Sequence, residues 1–194
     1  MEGNLSIARQ IACPVVLISS SLENEHENTD FYMLSSISYV NLEPLILSTA
    51  FLKTSKTGSA ALASKTMAVS VLSFEHVEAV TKLENQTAAE KSALAADENL
   101  RQCGFSPGRL NSGLLYIRGS LLACSLKIFQ QIELDQYIVV LAKIEETATT
   151  PLDRAIESAS TSKTVSTEPL IRYNRLYATI DKERLSQGND RYPV

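Results

Sequence analysis

The chain has 194 residues, 44% of them hydrophobic, with 18 basic and 22 acidic side chains and a formal net charge of −4. That length suits one compact domain, residues 1–194, with a sizeable core. The acidic balance and the lack of a basic stripe argue against nucleic acid as a partner, and no apolar run reaches the roughly 20 residues of a membrane-spanning helix.

The first residues, MEGNLSIARQIACPVVLISS, lack the order of a secretory signal: Glu2 and Arg9 interrupt it and Pro14 opens a strand-like run. A cytoplasmic protein is expected. The three cysteines, Cys13, Cys103 and Cys124, are odd in number and far apart, which reads as reduced, packed thiols. Two histidines, His26 and His76, are too few and too scattered for a metal site, and no GxSxG elbow supports a hydrolase triad.

In chain order, residues 4–12 suggest a short amphipathic helix. PVVLISSS (14–21) is β-branched and reads as a strand. LENEHENTD (22–30) is polar and is expected as a hairpin tip. FYMLSSISYV (31–40) and PLILSTAFL (44–52) read as two strands joined at a Glu43-Pro44 bend. SKTGSAALASK (55–65) reads as a short helix and MAVSVLS (67–73) as a strand.

A helical excursion follows. HVEAVTKLE (76–84) is short, and TAAEKSALAADENLRQCG (87–104) opens with the T-x-x-E capping box at Thr87 and Glu90 and closes on Gly104. GLLYIRGSLLACSLKIFQQIEL (113–134) and QYIVVLAKIEE (136–146) give two or three long strands. Ten of the 22 residues from 147 to 168 are Ser or Thr, so that stretch is expected as a long surface loop. PLIRYNRLYATI (169–180) returns to strand character, and 181–194 is a polar, peripheral tail. Strands, then helices, then strands describe a mainly β, α+β fold with at least six strands in one barrel.

The chemistry concentrates in SSISYVNLEPLILSTAFLKTSKT (35–57). Ser35, Ser36, Ser38 and Asn41 surround one strand exit, Ser48 and Thr49 lie in the next strand, and KTSKTGS runs from Lys53 to Ser59 ahead of the predicted helix. Short hydroxyls let a flat polar ligand approach the backbone. A helix start offers unsatisfied N–H groups and partial positive charge to a phosphate. A flat ring with a phosphate within reach describes a flavin mononucleotide. The same residues also describe an ordinary exposed turn and N-cap, and the GxxxxGK[ST] phosphate loop is absent. Arg118, Arg172 and Arg175 read as solvated strand charges and Tyr173 and Tyr177 as packing groups.

PVVLISS, the segment YMLSSISYVNLEPLILSTAFLKTSKT, ALASKTMAVSVLSFEH, GLLYIRGSLLACSL and PLIRYNRLYATI, in that order and spacing, resemble the flavin reductase-like family, whose members fold as an FMN-binding split barrel. The likeness runs over most of residues 10–180. It implies that Ser35, Ser36, Ile37 and Ser38 line the ring and ribityl part of FMN, that Ser48, Thr49 and Ala50 supply the neighbouring strand, and that Ser55, Lys56 and Thr57 hold the phosphate. It also implies a homodimer and hydride transfer from NADH or NADPH, with FMN expected before FAD.

The family often carries Gly-Asp-His on a late strand, with its His near the nicotinamide. Here the matching residues are Leu134-Asp135-Gln136-Tyr137, so Asp135 is kept and Gln136 replaces the histidine. Gln cannot carry a proton near neutral pH, but the flavin itself does the redox chemistry. A single Pro44 stands where many relatives have two prolines. An FMN electron-transfer protein of the flavoredoxin kind and a split-barrel binding protein without flavin remain the alternatives.

Overall fold

The structure, a computed structural model, describes residues 11–23, 28–149, 168–173 and 176–179. Among them the chain runs β1 (Cys13–Pro14), β2 (Val16–Glu23), β3 (Asn28–Ser35), β4 (Ser38–Leu42), β5 (Leu45–Leu52), α1 (Lys56–Ser64) and β6 (Thr66–Val71). A 3-10 turn (Phe74–His76) leads to α2 (Val77–Asn85), α3 (Ala88–Ser92) and α4 (Ala96–Cys103). The second half is β7 (Pro107–Arg109), β8 (Leu115–Ile117), β9 (Leu122–Glu133), β10 (Tyr137–Thr149), β11 (Ile171–Tyr173) and β12 (Leu176–Ala178).

Seven strands form one antiparallel sheet in the order β3-β2-β6-β9-β10-β5-β4. Its two edge strands, β3 and β4, are consecutive in the chain and separated only by Ser36 and Ile37. A chain advances at most about 3.6 Å per residue, so two residues join opposite edges only if the sheet rolls up. The result is a barrel that is not closed by hydrogen bonding between its edges, the split barrel expected from the sequence, with its seam at Ser35–Ser38.

Two apolar clusters lie on the two faces of the sheet. Val16, Ile18, Phe51, Met67, Val69, Leu126, Val140 and Ala142 pack inside the roll. Leu17, Leu72, Val80, Leu83, Leu100, Ile117 and Leu170 pack between the other face and the helices. β2 is thus covered on both sides, which is why VVLI reads as a continuous apolar run. Helix α1 packs against the interior through Gly58, Ala60 and Ala61. Gly58 is required there, since a Cβ at 58 would lie 2.6 Å from Phe51 Cβ and 2.8 Å from its Cγ. Ser20 Oγ donates to the Thr57 carbonyl at 2.8 Å and ties the helix to β2.

Among the described residues the expected elements are present with changed boundaries. FYMLSSISYV is not one strand: it breaks at Ser36–Ile37, because the seam must leave one edge and join the other. The hairpin after β2 is narrower than its polar composition suggests, with Glu23 already paired to Asn28. The capping box at Thr87 is present, its N–H donating to Glu90 Oε2 at 2.6 Å, and Gly104 caps α4 at φ 103°. The Ala-rich helix between them is instead two helices, interrupted at Ala93–Ala95. Asn99 of α4 is buried and hydrogen-bonded to Gln86 and Tyr32, and this network, invisible to helix propensity, sets the direction of α4.

β10 continues to Thr149, three residues into the segment expected as a loop. Its remainder at 150–167, the helix proposed for 4–12 except its last two residues, and the tail 181–194 lie outside the described residues. Strand β7 was not foreseen. No described helix is long and apolar enough to cross a membrane.

Candidate functional site

The barrel seam is built by β5. Thr49, buried in mid-strand, donates through Oγ1 to the Ser36 carbonyl at 2.8 Å, and its Oγ1 lies 3.3 Å from Ser35 Oγ. Ser38 is paired directly with Ser48 across β4 and β5, and Ser48 Oγ reaches the Ser38 carbonyl at 3.4 Å. The sequence predicted all of these residues as one lining, and the structure brings them together. Ile37 differs in its manner: its side chain packs against the interior cluster, so it presents backbone rather than a side chain at the seam.

Side chains alternate along β5. Thr49 and Phe51 point into the barrel, whereas Ser48, Ala50 and Leu52 are on the outer face. The register sets Leu141, Val139 and Tyr137 of β10 opposite them, with Ile132 of β9 opposite Val139. The outer face of this half-sheet is therefore apolar, bordered by the hydroxyls of Ser38 and Ser48. Of the exposed large hydrophobic residues among the described ones, nine lie in residues 39–52 and 129–137: Tyr39, Val40, Leu42, Leu45, Leu52, Phe129, Ile132, Leu134 and Tyr137.

Helix α1 begins just past the end of β5. The Ser55 N–H closes a turn on the Leu52 carbonyl at 2.9 Å. Ser55 then acts as N-cap, its Oγ accepting from the Gly58 N–H at 3.1 Å, and the same Oγ donates to Met33 Sδ of β3 at 3.6 Å. The Ser59 N–H starts the helical ladder on the Ser55 carbonyl at 2.9 Å. Helix geometry leaves the N–H groups of Lys56 and Thr57 outside that ladder. No acidic residue stands in the first turn, and the Lys56 side chain is exposed. Thr57 is only 4% exposed, so what it offers at this helix start is chiefly its N–H.

Asp135 and Gln136, distant in sequence, reach the same end of the barrel. They form the tip of the β9–β10 hairpin, closed by the Leu134 N–H to the Tyr137 carbonyl at 2.8 Å. Tyr137 pairs with Leu52, and the Gln136 carbonyl accepts from the Lys53 N–H at 3.0 Å. Sequence reasoning placed Lys53 only within the lysine- and hydroxyl-rich run before the helix and gave Met33 no role. Both join parts of the site, and neither contact has a local sequence signal. A groove of about 540 Å³ beside the open edge of β3 is lined by Tyr32, Leu34, Leu83, Glu84, Lys91 and Arg172, and shares Met33 with the site.

Cys124 lies in the interior cluster, and burial pushes its thiol up to about 11. It is a neutral packing group at physiological pH, as its isolation in the sequence suggests.

Residues 8–181 match the model of the family described as flavin reductase like domain. No curated protein matches the chain. Among solved structures, a homolog of nitrilotriacetate monooxygenase component B from Mycobacterium thermoresistibile is similar with TM-score 0.72 at 16% identity, covering 100% of this chain and 95% of the other. The NADH:FAD oxidoreductase SgcE6 of Streptomyces globisporus C-1027 is similar with TM-score 0.71 at 13% identity, covering 93% of each chain. The flavin reductase of the styrene monooxygenase of Pseudomonas putida S12 is similar with TM-score 0.65 at 11% identity, covering 92% of this chain and 97% of the other. At such identities these likenesses speak to the fold.

Proposed function

The chain belongs to the flavin reductase like family and is an oxidoreductase, and from that premise we propose that it carries FMN across the barrel seam and accepts reducing equivalents from NADPH or NADH. The joining of a hydroxyl-lined seam, an anion-favouring helix start and the Asp135-Gln136 turn at one end of one barrel carries this reading.

The donor set fits a flavin mononucleotide. Ser35, Ser36, Ser38, Ser48 and Ala50 would line the ring and ribityl chain, with Ile37 contributing backbone. Lys56 and the N–H groups of Lys56 and Thr57 would hold the phosphate, and Ser55 would shape that helix start as its cap. One helix start offers one phosphate seat, which favours FMN over FAD. When bound, the flavin supplies the hydride acceptor and the nicotinamide its source.

The chain's own residues bind, orient and exclude water. Thr49 fixes the Ser36 carbonyl, so the seam backbone is already ordered when a ring arrives and little freedom is lost on binding. The apolar outer face of β5 and β10 excludes water from one side. Gln136 has no titrating side chain, so its part at the donor side is confined to hydrogen bonding, with the carboxamide of the nicotinamide as the natural partner. Asp135 marks the same turn.

The exposed apolar half-sheet is the face on which a second copy of this chain would pack, giving a homodimer whose interface adjoins the flavin. The free cysteines Cys13, Cys103 and Cys124 suit a reducing compartment, and we place the protein in the cytoplasm.

The sequence has no tryptophan, so flavin emission rather than protein emission is the signal to follow. Titrating protein into FMN and, separately, FAD should quench FMN at lower protein concentration. Tighter binding of FAD would overturn the choice of FMN, and no quenching of either would remove the seam as a flavin site.

A further inference from the structure

We propose that Lys53 is a positioning residue that couples the phosphate end of the site to the Asp135-Gln136 turn. The functional meaning rests on the reading above, in which FMN phosphate sits at the start of α1 and the nicotinamide approaches Gln136.

Two loops meet at Lys53. On one side, Leu52 to Ser55 form a turn closed by the Ser55 N–H on the Leu52 carbonyl, and Ser55 caps α1. Lys53 is the first central residue of that turn and precedes Lys56 by three positions, within about 11 Å even for an extended chain. On the other side, the Leu134 N–H to Tyr137 carbonyl bond closes the hairpin and leaves Asp135 and Gln136 as its tip. The β5–β10 ladder ends at Leu52 opposite Tyr137. The Lys53 N–H to Gln136 carbonyl bond at 3.0 Å adds one link beyond it, and that link joins the two loops rather than two strands.

A second contact runs parallel: Lys53 Nζ lies 3.4 Å from Glu133 Oε2, with side chains 40% and 67% exposed. An ion pair so exposed contributes little. The backbone bond is the stronger candidate for the coupling, because it fixes the peptide between Gln136 and Tyr137 and thereby the direction in which the Gln136 side chain leaves the chain. Any settling of the α1 start around a phosphate then reaches Gln136 through one residue.

The location of Lys53 supplies a clean perturbation. Proline suits the first central position of a turn, and the preceding Leu52 is already in the extended conformation that proline demands of its neighbour. Lys53→Pro keeps the turn and deletes the N–H. Glu133→Gln keeps the N–H and deletes the ion pair.

Hydrogen exchange across residues 133–137 is followed with and without FMN, together with KM and kcat for NADPH and NADH and the FMN dissociation constant. FMN should slow exchange of this turn in the parent protein and in Glu133→Gln, and should not in Lys53→Pro. Loss of one hydrogen bond should raise the nicotinamide KM of Lys53→Pro roughly tenfold, with kcat and FMN affinity held within about twofold. A turn indifferent to FMN in the parent protein, or still responsive in Lys53→Pro, overturns the coupling. So does a Lys53→Pro protein in which FMN affinity and melting temperature fall together, since that describes a structural link only. A parent protein that binds FMN but oxidises neither nicotinamide refutes the donor assignment above, while the exchange comparison still decides the coupling.

Discussion

Gly58→Ala sets two effects of opposite sign against each other. Alanine is favoured over glycine in a helix by about 1 kcal/mol, and on propensity alone the variant would gain stability. The added methyl, however, falls 2.6 Å from Phe51 Cβ and 2.8 Å from its Cγ, where carbon atoms rest at about 3.5–4.0 Å. Phe51 is 1% exposed and packed inside the barrel. Its Cβ is carried by the β5 backbone, so no change of rotamer relieves the contact. Helix α1 must move by about 1 Å, the shortfall between the two distances. Overpacking costs about 1–3 kcal/mol, and a clash with a buried Cβ that no rotamer relieves belongs at about 2–3 kcal/mol of that range, above the propensity gain.

We expect a net loss of about 1–2 kcal/mol in urea unfolding followed by circular dichroism. The shift carries the α1 start with it, so FMN affinity should fall as well. Gly113→Ala is the control. Gly113 has φ 82° with nothing within 4 Å of an added Cβ, so that variant should lose about 1 kcal/mol to backbone strain alone and keep its FMN affinity. A Gly58→Ala protein as stable as the parent, or more so, would refute the packing argument. One that is destabilised but binds FMN normally would separate the helix start from the ligand.

Lys56→Ala should weaken FMN roughly 5–30-fold by removing a charge from an exposed phosphate site; titration at low and high salt checks this, since the deficit should shrink as salt rises. Thr49→Val keeps the shape of the side chain but removes the donor to the Ser36 carbonyl, leaving it the longer 3.5 Å contact from Ser35 Oγ, and should cost about 0.5–1.5 kcal/mol in stability together with FMN affinity; an unchanged midpoint would mean the seam needs no such tie. The Cys124 thiol has a folded-state value of about 11 against an ordinary 9.0. The native state therefore binds the extra proton between those values, and stability contributed by this group is present below pH 9.0 and lost as pH rises toward 11. The worth is about 2–3 kcal/mol. Cys124→Ala, measured against the parent from pH 8 to pH 11, should show a flatter alkaline decline; parallel curves would contradict it.

What was readable in the sequence was local. β-branched runs announced β2, β5, β6, β9 and β10. Thr87 and Glu90 announced a capping box, and SKTGS announced a helix start with an N-cap, though not that Ser55 is the capping residue. What escaped depends on pairing over long sequence distances. The break at Ser36–Ile37 follows from the sheet rolling until its edges meet, which no window around those residues encodes. Ile37 was expected to line the ligand, and its inward-packed side chain, which leaves its backbone at the seam, has no signal in the local sequence. The helical region divides between Ser92 and Ala96, and Asn99 meets Gln86 and Tyr32, an arrangement outside any propensity. The resemblance placed Asp135-Gln136 on a late strand; they are instead the tip between β9 and β10, and only the β5–β10 register brings that tip beside Lys53.

The most direct test is an anaerobic absorbance titration of the protein loaded with FMN, first with NADPH and then with NADH. A bound flavin spectrum that bleaches rapidly with at least one donor is expected. A bound spectrum that stays oxidised with both would contradict the reductase and leave a flavin carrier reduced by another donor.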